Sequence, residues 1–300
     1  MCPVYTIYMP TPYNVIFLGT SAFAVPSLEA LITHPGFTVD LVITQPDRPV
    51  GRRQVLTAPP VKDVANQYHI SVFQPEKLNK EFSTYSREHA LGRPDFLVVV
   101  SYGQIISQAV LDFPLIAPVN VHASLLPRWR GASPIQQAIL AGDTETGVTI
   151  QKMIYELDAG PILGERSMPL TGEETAPGLH DELARMGSEL LMETLLLPLF
   201  PREQNHTHAT HCKKLTREDG IVDPQTMTAE EIHRKVRGLM PWPGVTTTIN
   251  DETIKILRSS LIETTDSTLL PCNDHTILYL EEVQVPGGKP MSGKAWLGNR

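Results

Sequence analysis

Asn120 and His122 stand two residues apart in the apolar segment 119–122. If that segment is a strand, its period of two puts both side chains on one face. One offers an amide donor, and the other is an acid/base that titrates near neutral pH. A turn-forming run, Leu157-Asp158-Ala159-Gly160-Pro161, adds a carboxylate. An amide, an imidazole and a carboxylate together could move protons by general acid/base chemistry. Taken singly, each has a plainer account. The histidine could sit buried at a capped strand end, and the aspartate could simply serve its turn.

Other constellations carry less. Gly19-Thr20-Ser21-Ala22 follows an apolar run, as a dinucleotide fingerprint would, but the pattern G-x-G-x-x-G is absent. Without the second glycine the backbone cannot approach a pyrophosphate, so a tight strand-to-helix turn is expected there. Residues 288–295 approach the P-loop pattern, yet Ala295 replaces the magnesium-binding hydroxyl. No helix is expected so close to the end of the sequence to aim its N-terminus at phosphate. His206, His208, His211 and Cys212 form a tract whose spacing fits no standard zinc pattern, so no metal site is expected. Arg48, Arg52 and Arg53 gather positive charge in a Pro/Gly loop, which by itself reads as a solvated loop.

The elements that must position these groups follow from hydrophobic patterning. Residues 14–19, 38–44, 70–73, 95–100 and 119–122 are short apolar or β-branched runs that predict strands. Residues 27–34 and 60–69 predict intervening helices, Pro60 suiting a first turn. Alternating strands and helices imply a parallel α/β sheet, and continuous apolar runs imply strands covered on both faces. Ligands of such sheets bind beyond the C-terminal strand ends, where the loops after Leu18, Thr44, Val100 and His122 lie. Ser133-Pro134-Ile135-Gln136 predicts a capped helix start, and Thr228-Ala229-Glu230-Glu231 a second capping box. Leu179, Leu183, Met186, Leu190, Thr194 and Leu197 predict the buried stripe of a long helix over 177–197. Thr/Ile/Val-rich runs at 246–249, 253–257 and 276–285 predict a small β-barrel or sandwich.

The expected organisation is therefore an extension over 1–13, an α/β domain over 14–200, a linker over 201–212 and a β-barrel-like domain over 213–300. The sequence has 300 residues, 41% of them hydrophobic and 19% charged, which suits folded domains rather than a disordered chain. Three scattered cysteines argue against a disulfide framework and suit a reducing compartment. The apolar run over 96–100 falls far short of the roughly 20 residues a membrane helix needs. The first basic residue is Arg48, so an N-terminal targeting signal is not expected and the cytoplasm is. A net charge of −8 excludes a sequence-blind polyanion binder, but not a partner held at a few local cations.

The combination resembles the folate-dependent formyltransferase family. Residues 120–139 (NVHASLLPRWRGASPIQQAI) carry the most specific match, followed by 146–163 (TGVTIQKMIYELDAGPIL). The resemblance implies a Rossmann-like parallel-sheet domain and an OB-like barrel behind it. It implies Asn120, His122 and Asp158 as the catalytic residues. It implies Ser124, Leu125, Leu126 and Pro127 as the lining of a 10-formyltetrahydrofolate site, with Tyr102, Gln104 and Ile105 forming another wall. No metal is implied.

Segments 42–53 (VITQPDRPVGRR), 211–220, 229–244 and 286–293 narrow the match to members that formylate methionyl-tRNA, with departures at His211 and Pro224. That branch implies an initiator methionyl-tRNA partner. Arg52 would enter the acceptor stem beside Arg48 and Arg53, and Arg128 and Arg130 would lie near the acceptor end. A monomer is expected. Family members that formylate an amino-sugar nucleotide would use the same three catalytic residues and are the alternative.

Overall fold

The computed structural model describes residues 11–51 and 53–298. Arg52 and most of the expected extension therefore lie outside the described residues. Contacts divide the chain into two compact units. One runs to Arg128 and takes in Gly147–Arg166 and Glu182–Ala209. The other comprises Trp129–Thr146, Ser167–Asp181 and the chain from Thr210 onward.

In chain order the elements begin with β1 (Tyr13–Gly19), α1 (Val25–Thr33), β2 (Phe37–Ile43), β3 (Arg48–Val50) and β4 (Val55–Thr57). Next come α2 (Pro60–Gln67), β5 (Val72–Phe73), α3 (Leu78–Glu88), β6 (Phe96–Val100), α4 (Gln108–Leu111) and β7 (Ala117–His122). Then follow β8 (Arg130–Gly131), α5 (Pro134–Ala141), β9 (Glu145–Lys152), β10 (Ile162–Pro169) and α6 (Ala176–Leu195).

A seven-stranded sheet runs in the order β10-β9-β7-β6-β1-β2-β5. Its centre is parallel: β1 pairs with β2 and β6, β6 with β7, and β2 with β5. β9 joins β7 antiparallel. Every residue of β6 and β7 is buried, as unbroken apolar runs require. Burying each Val, Leu or Phe of such a run contributes about 1.5–3 kcal/mol. One core cluster packs Ile16, Leu18, Leu41, Leu97 and Val99 against Leu78 and Phe82 of α3. Periodicity did not predict α3, because its apolar residues are few and the rest of its surface is polar. The arginine loop, expected to be irregular, is a β3–β4 hairpin whose six paired residues are all exposed.

The second unit continues with β11 (His211–Cys212), α7 (Ala229–Gly238), β12 (Val245–Ile249), β13 (Glu252–Ser260), β14 (Thr268–Pro271), β15 (Ile277–Gln284), β16 (Met291–Ser292) and α8 (Gly293–Gly298). The strands from β12 on form an antiparallel sheet ordered β12-β13-β15-β14, with β16 on β15. Ile232, Val236 and Leu239 pack with Ile254, Leu278, Leu280 and Val283 in its core. The Thr228 capping box is formed, its hydroxyl accepting from the Glu231 N–H at 3.3 Å and the Glu231 carboxylate accepting from the Thr228 N–H at 2.7 Å.

Three local expectations are corrected. Ser133 does not cap α5; its hydroxyl donates to the Lys213 carbonyl at 2.6 Å, a tertiary partner that wins over the local one. A helix does form near the end of the sequence, but its first amides are taken. Lys294 N–H donates to Asp266 O at 3.0 Å and Ala295 N–H to Ser292 Oγ at 3.2 Å. Leu197 is exposed rather than part of the buried stripe, because α6 ends at Leu195, ahead of Pro198.

Candidate active site

β7 carries the first two candidates. Its alternation points Val121 at α6, where Gly187 leaves room for the Val121 side chain that a Cβ would meet at 2.8 Å. Asn120 and His122 therefore share the opposite face. Both are buried. Across the antiparallel β7–β9 pair, Asn120 lies opposite Gln151 and His122 opposite Thr149. Opposed side chains of such a pair stand on the same face, so β9 adds an amide and a hydroxyl to it.

Asp158 arrives from the loop between β9 and β10. Lys152 N–H donates to Pro161 O at 2.9 Å and closes that loop. Gly160 is obligatory there, since a Cβ would lie 1.8 Å from the Lys152 carbonyl oxygen. Asp158 itself adopts a left-handed backbone, with φ of 51°. Such a conformation persists when its surroundings over-determine it. Here Gln204 Nε2 donates to Asp158 O at 2.9 Å and to Gly160 O at 2.6 Å. Gln151 Nε2 donates to Asp158 Oδ1 at 2.9 Å. The same oxygen lies 3.7 Å from His122 Nδ1, with both side chains about nine-tenths buried. That separation is longer than a hydrogen bond between these two atoms.

The turn after His122 is pinned to β9. Thr149 Oγ1 donates to Ser124 O at 2.7 Å and accepts from Leu126 N–H at 3.0 Å. Ser124 Oγ donates to Arg128 O at 2.6 Å, so that hydroxyl serves the turn. Leu126 is buried, Leu125 and Pro127 are half-buried, and the Leu126–Pro127 peptide is cis.

The second expected wall is differently disposed. Tyr102 packs in the core beside Ile16 and Leu18, and burial, followed by Glu81, pushes its phenol above the usual range. Gln104 braces the start of α3 by accepting from Leu78 N–H at 3.0 Å and donating to Pro75 O at 3.2 Å. Ile105 alone of the three is exposed.

Among the arginines, Arg48 is exposed and paired with Glu76 at 2.6 Å. Arg53 and Arg128 are exposed, and Arg52 lies outside the described residues. Arg130 departs from expectation. It is 3% exposed, its backbone held in the β8–β11 pair, so it offers no surface charge for a phosphate. Of the His/Cys tract, His206, His208 and His211 are exposed and Cys212 is buried. Among the described residues no group of three or more His, Cys, Asp or Glu is placed to hold a metal. No described helix is long and apolar enough to cross a membrane.

Three residues at this site were not singled out from the sequence. Thr149 and Gln151 had a usable signal, being polar positions two apart inside a β-branched run. Gln204 had none, since only the tertiary fold brings it to the Asp158 loop.

Comparison with known proteins agrees with these motifs. The formyl transferase family model matches residues 13–195, and the formyl transferase C-terminal domain model matches 214–300. The methionyl-tRNA formyltransferase of Halorhodospira halophila is 46% identical over 248 residues, covering 81% of this chain and 78% of the relative. That of Pseudomonas savastanoi pv. phaseolicola is 39% identical over 299 residues, covering 95% and 94%.

Two solved structures share the fold. The N-formyltransferase of Helicobacter canadensis, in complex with folinic acid and dTDP-3-aminofucose, superposes with a TM-score of 0.66 at 20% identity, covering 90% of this chain and 98% of that one. HypX of Aquifex aeolicus, in complex with tetrahydrofolic acid, gives 0.63 at 14% identity over 96% of this chain. The chain spans about half the length of HypX, the match covering 47% of it. With family models covering both its parts and relatives of this identity over nearly its whole length, the chain belongs to the formyl transferase family.

Proposed function

We propose that this protein transfers the formyl group of 10-formyltetrahydrofolate to the α-amino group of initiator methionyl-tRNA, in the cytoplasm. The observation that carries the reaction is the meeting of His122 and Asp158 on the face that Asn120 shares. The choice of amine rests on the relatives, which are 39–46% identical and named for methionyl-tRNA.

The chemistry follows from the side chains. A neutral amine attacks the formyl carbon, and the formyl oxygen gains negative charge. The Asn120 amide donates to that oxygen, the kind of preorganised contact whose removal typically costs about 10²–10³-fold in rate. The attacking nitrogen must lose a proton, and the departing folate nitrogen must gain one. His122 takes up and returns that proton, work worth roughly 10²–10⁴-fold. Asp158 orients the imidazole and stabilises it when charged. Burial of all three excludes competing water.

The folate fits this site by the shape of the turn after β7. Its backbone is held rigid by Thr149, and it presents the half-buried Leu125 and Pro127, an apolar edge for a flat heterocycle. For the tRNA, the exposed cations Arg48 and Arg53 on the β3–β4 hairpin and Arg128 beside the turn are the proposed phosphate contacts, together with Arg52. Supplying purified protein with 10-formyltetrahydrofolate and either methionyl-tRNA or an amino-sugar nucleotide tests the reading. Formyl-methionyl-tRNA should form, and transfer to the sugar alone would overturn it.

A further inference from the structure

We propose that Gln151 is a positioning residue for formyl transfer, its side-chain amide fixing the Asp158 carboxylate in front of His122. The proposal rests on the formyl-transfer reading of the site. Gln151 is 2% exposed and lies in β9 directly opposite Asn120. It thus belongs to the face that carries Asn120 and His122. Its Nε2 donates to Asp158 Oδ1 at 2.9 Å, and that one oxygen also faces His122 Nδ1 at 3.7 Å.

The division of labour in the loop supports this. Gln204 holds backbone carbonyls, those of Asp158 and Gly160. Gln151 instead grips the carboxylate and selects the rotamer that points it at the imidazole. A glutamine reaches where its opposite neighbour, the shorter Asn120, would not. It is also neutral, so it donates without adding a charge to compete with His122 for the carboxylate.

A packing role alone explains the residue poorly. The other half of its amide, Oε1, is buried without a hydrogen-bond partner. An orphaned buried acceptor costs stability, and an unbranched apolar side chain of similar length would fill the space without that cost. A locally unfavourable choice inside a strand is the mark of a residue kept for function.

The test compares Gln151→Met and Gln151→Glu with the wild-type full chain, using 10-formyltetrahydrofolate and methionyl-tRNA. Methionine keeps the volume and removes the donor. The expected result is a kcat lowered about 10–100-fold, as sub-ångström misplacement of a catalytic group produces, with both KM values within about twofold in the folded variant. A purely structural residue would not give that split, because loss of folded protein or of a binding surface does not lower kcat at unchanged KM. Gln151→Glu sets a carboxylate against Asp158 and should be slower than Gln151→Met at neutral pH. It is read by the same kcat-against-KM split should the methionine variant not fold. An active wild type with Gln151→Met at near wild-type kcat overturns the proposal alone. A wild type unable to formylate methionyl-tRNA overturns the functional reading, and the proposal falls with it.

Discussion

The Thr149 hydroxyl donates to the Ser124 carbonyl at 2.7 Å while accepting the Leu126 N–H at 3.0 Å. One side chain of β9 thus satisfies two backbone groups of the turn that follows β7. All of this is buried, so water cannot substitute for it.

Replacing that hydroxyl by a methyl leaves a buried carbonyl and a buried N–H unpaired. Thr149→Val should destabilise the protein by about 1–3 kcal/mol, read by urea denaturation. Because the turn carries Leu125 and Pro127, the KM for 10-formyltetrahydrofolate should rise more than the KM for methionyl-tRNA. An unchanged folate KM would remove the turn from the folate site.

Asn120→Ala, His122→Ala and Asp158→Ala should each lower kcat by at least about 10²-fold. Circular dichroism should show the fold intact. The three effects should not add, since the groups act on one proton and one charge. A double variant His122→Ala/Asp158→Ala much slower than His122→Ala alone would give Asp158 a role independent of the imidazole.

His233 makes the stability of the second unit depend on pH. Burial, then Arg237, holds its imidazole below the usual range, against weaker opposing pulls from Glu173, Glu281 and Glu230. Its Nδ1 lies 2.9 Å from Ser259 Oγ. Below the ordinary histidine value of about 6.5, the unfolded chain binds a proton that the native state does not. Stability from this group is therefore complete above that pH and declines as the pH falls toward the lowered native value. Denaturation midpoints at pH 7.5 and 5.5 should differ less in His233→Gln than in wild type. Equal differences would show that His233 is not the titrating group.

Arg53→Ala and Arg128→Ala should each raise the KM for methionyl-tRNA and leave the folate KM alone. If each arginine neutralises one phosphate, each substitution should reduce the slope of log affinity against log salt by about 1. Identical salt slopes in wild type and variants would take these cations out of the interface. Arg130→Ala should act differently, lowering stability instead, because that side chain is buried.

Much of the site was legible in the chain because its signals are local. A period of two is enough to put Asn120 and His122 on one face, and the apolar runs around them are enough for a buried parallel sheet. The same holds for the Thr228 capping box, whose partners are three residues apart. In two places where local rules failed, a distant group had intervened. Ser133 had every feature of a cap, but the Lys213 carbonyl, 80 residues away, took its hydroxyl. Arg130 looked like a surface cation until the pairing of β8 with β11 buried it.

By itself, then, the sequence determined the strands, the helices with strong stripes and the residue types that can move a proton. It also carried the motifs of the formyl transferase family. Only the tertiary structure decided how Asp158 is held. Gln151 reaches it from the neighbouring antiparallel strand, and Gln204 from 46 residues further along the chain. Such contacts have no period and no fixed spacing, because they depend on which elements pack together, and that is settled by burial of the whole core.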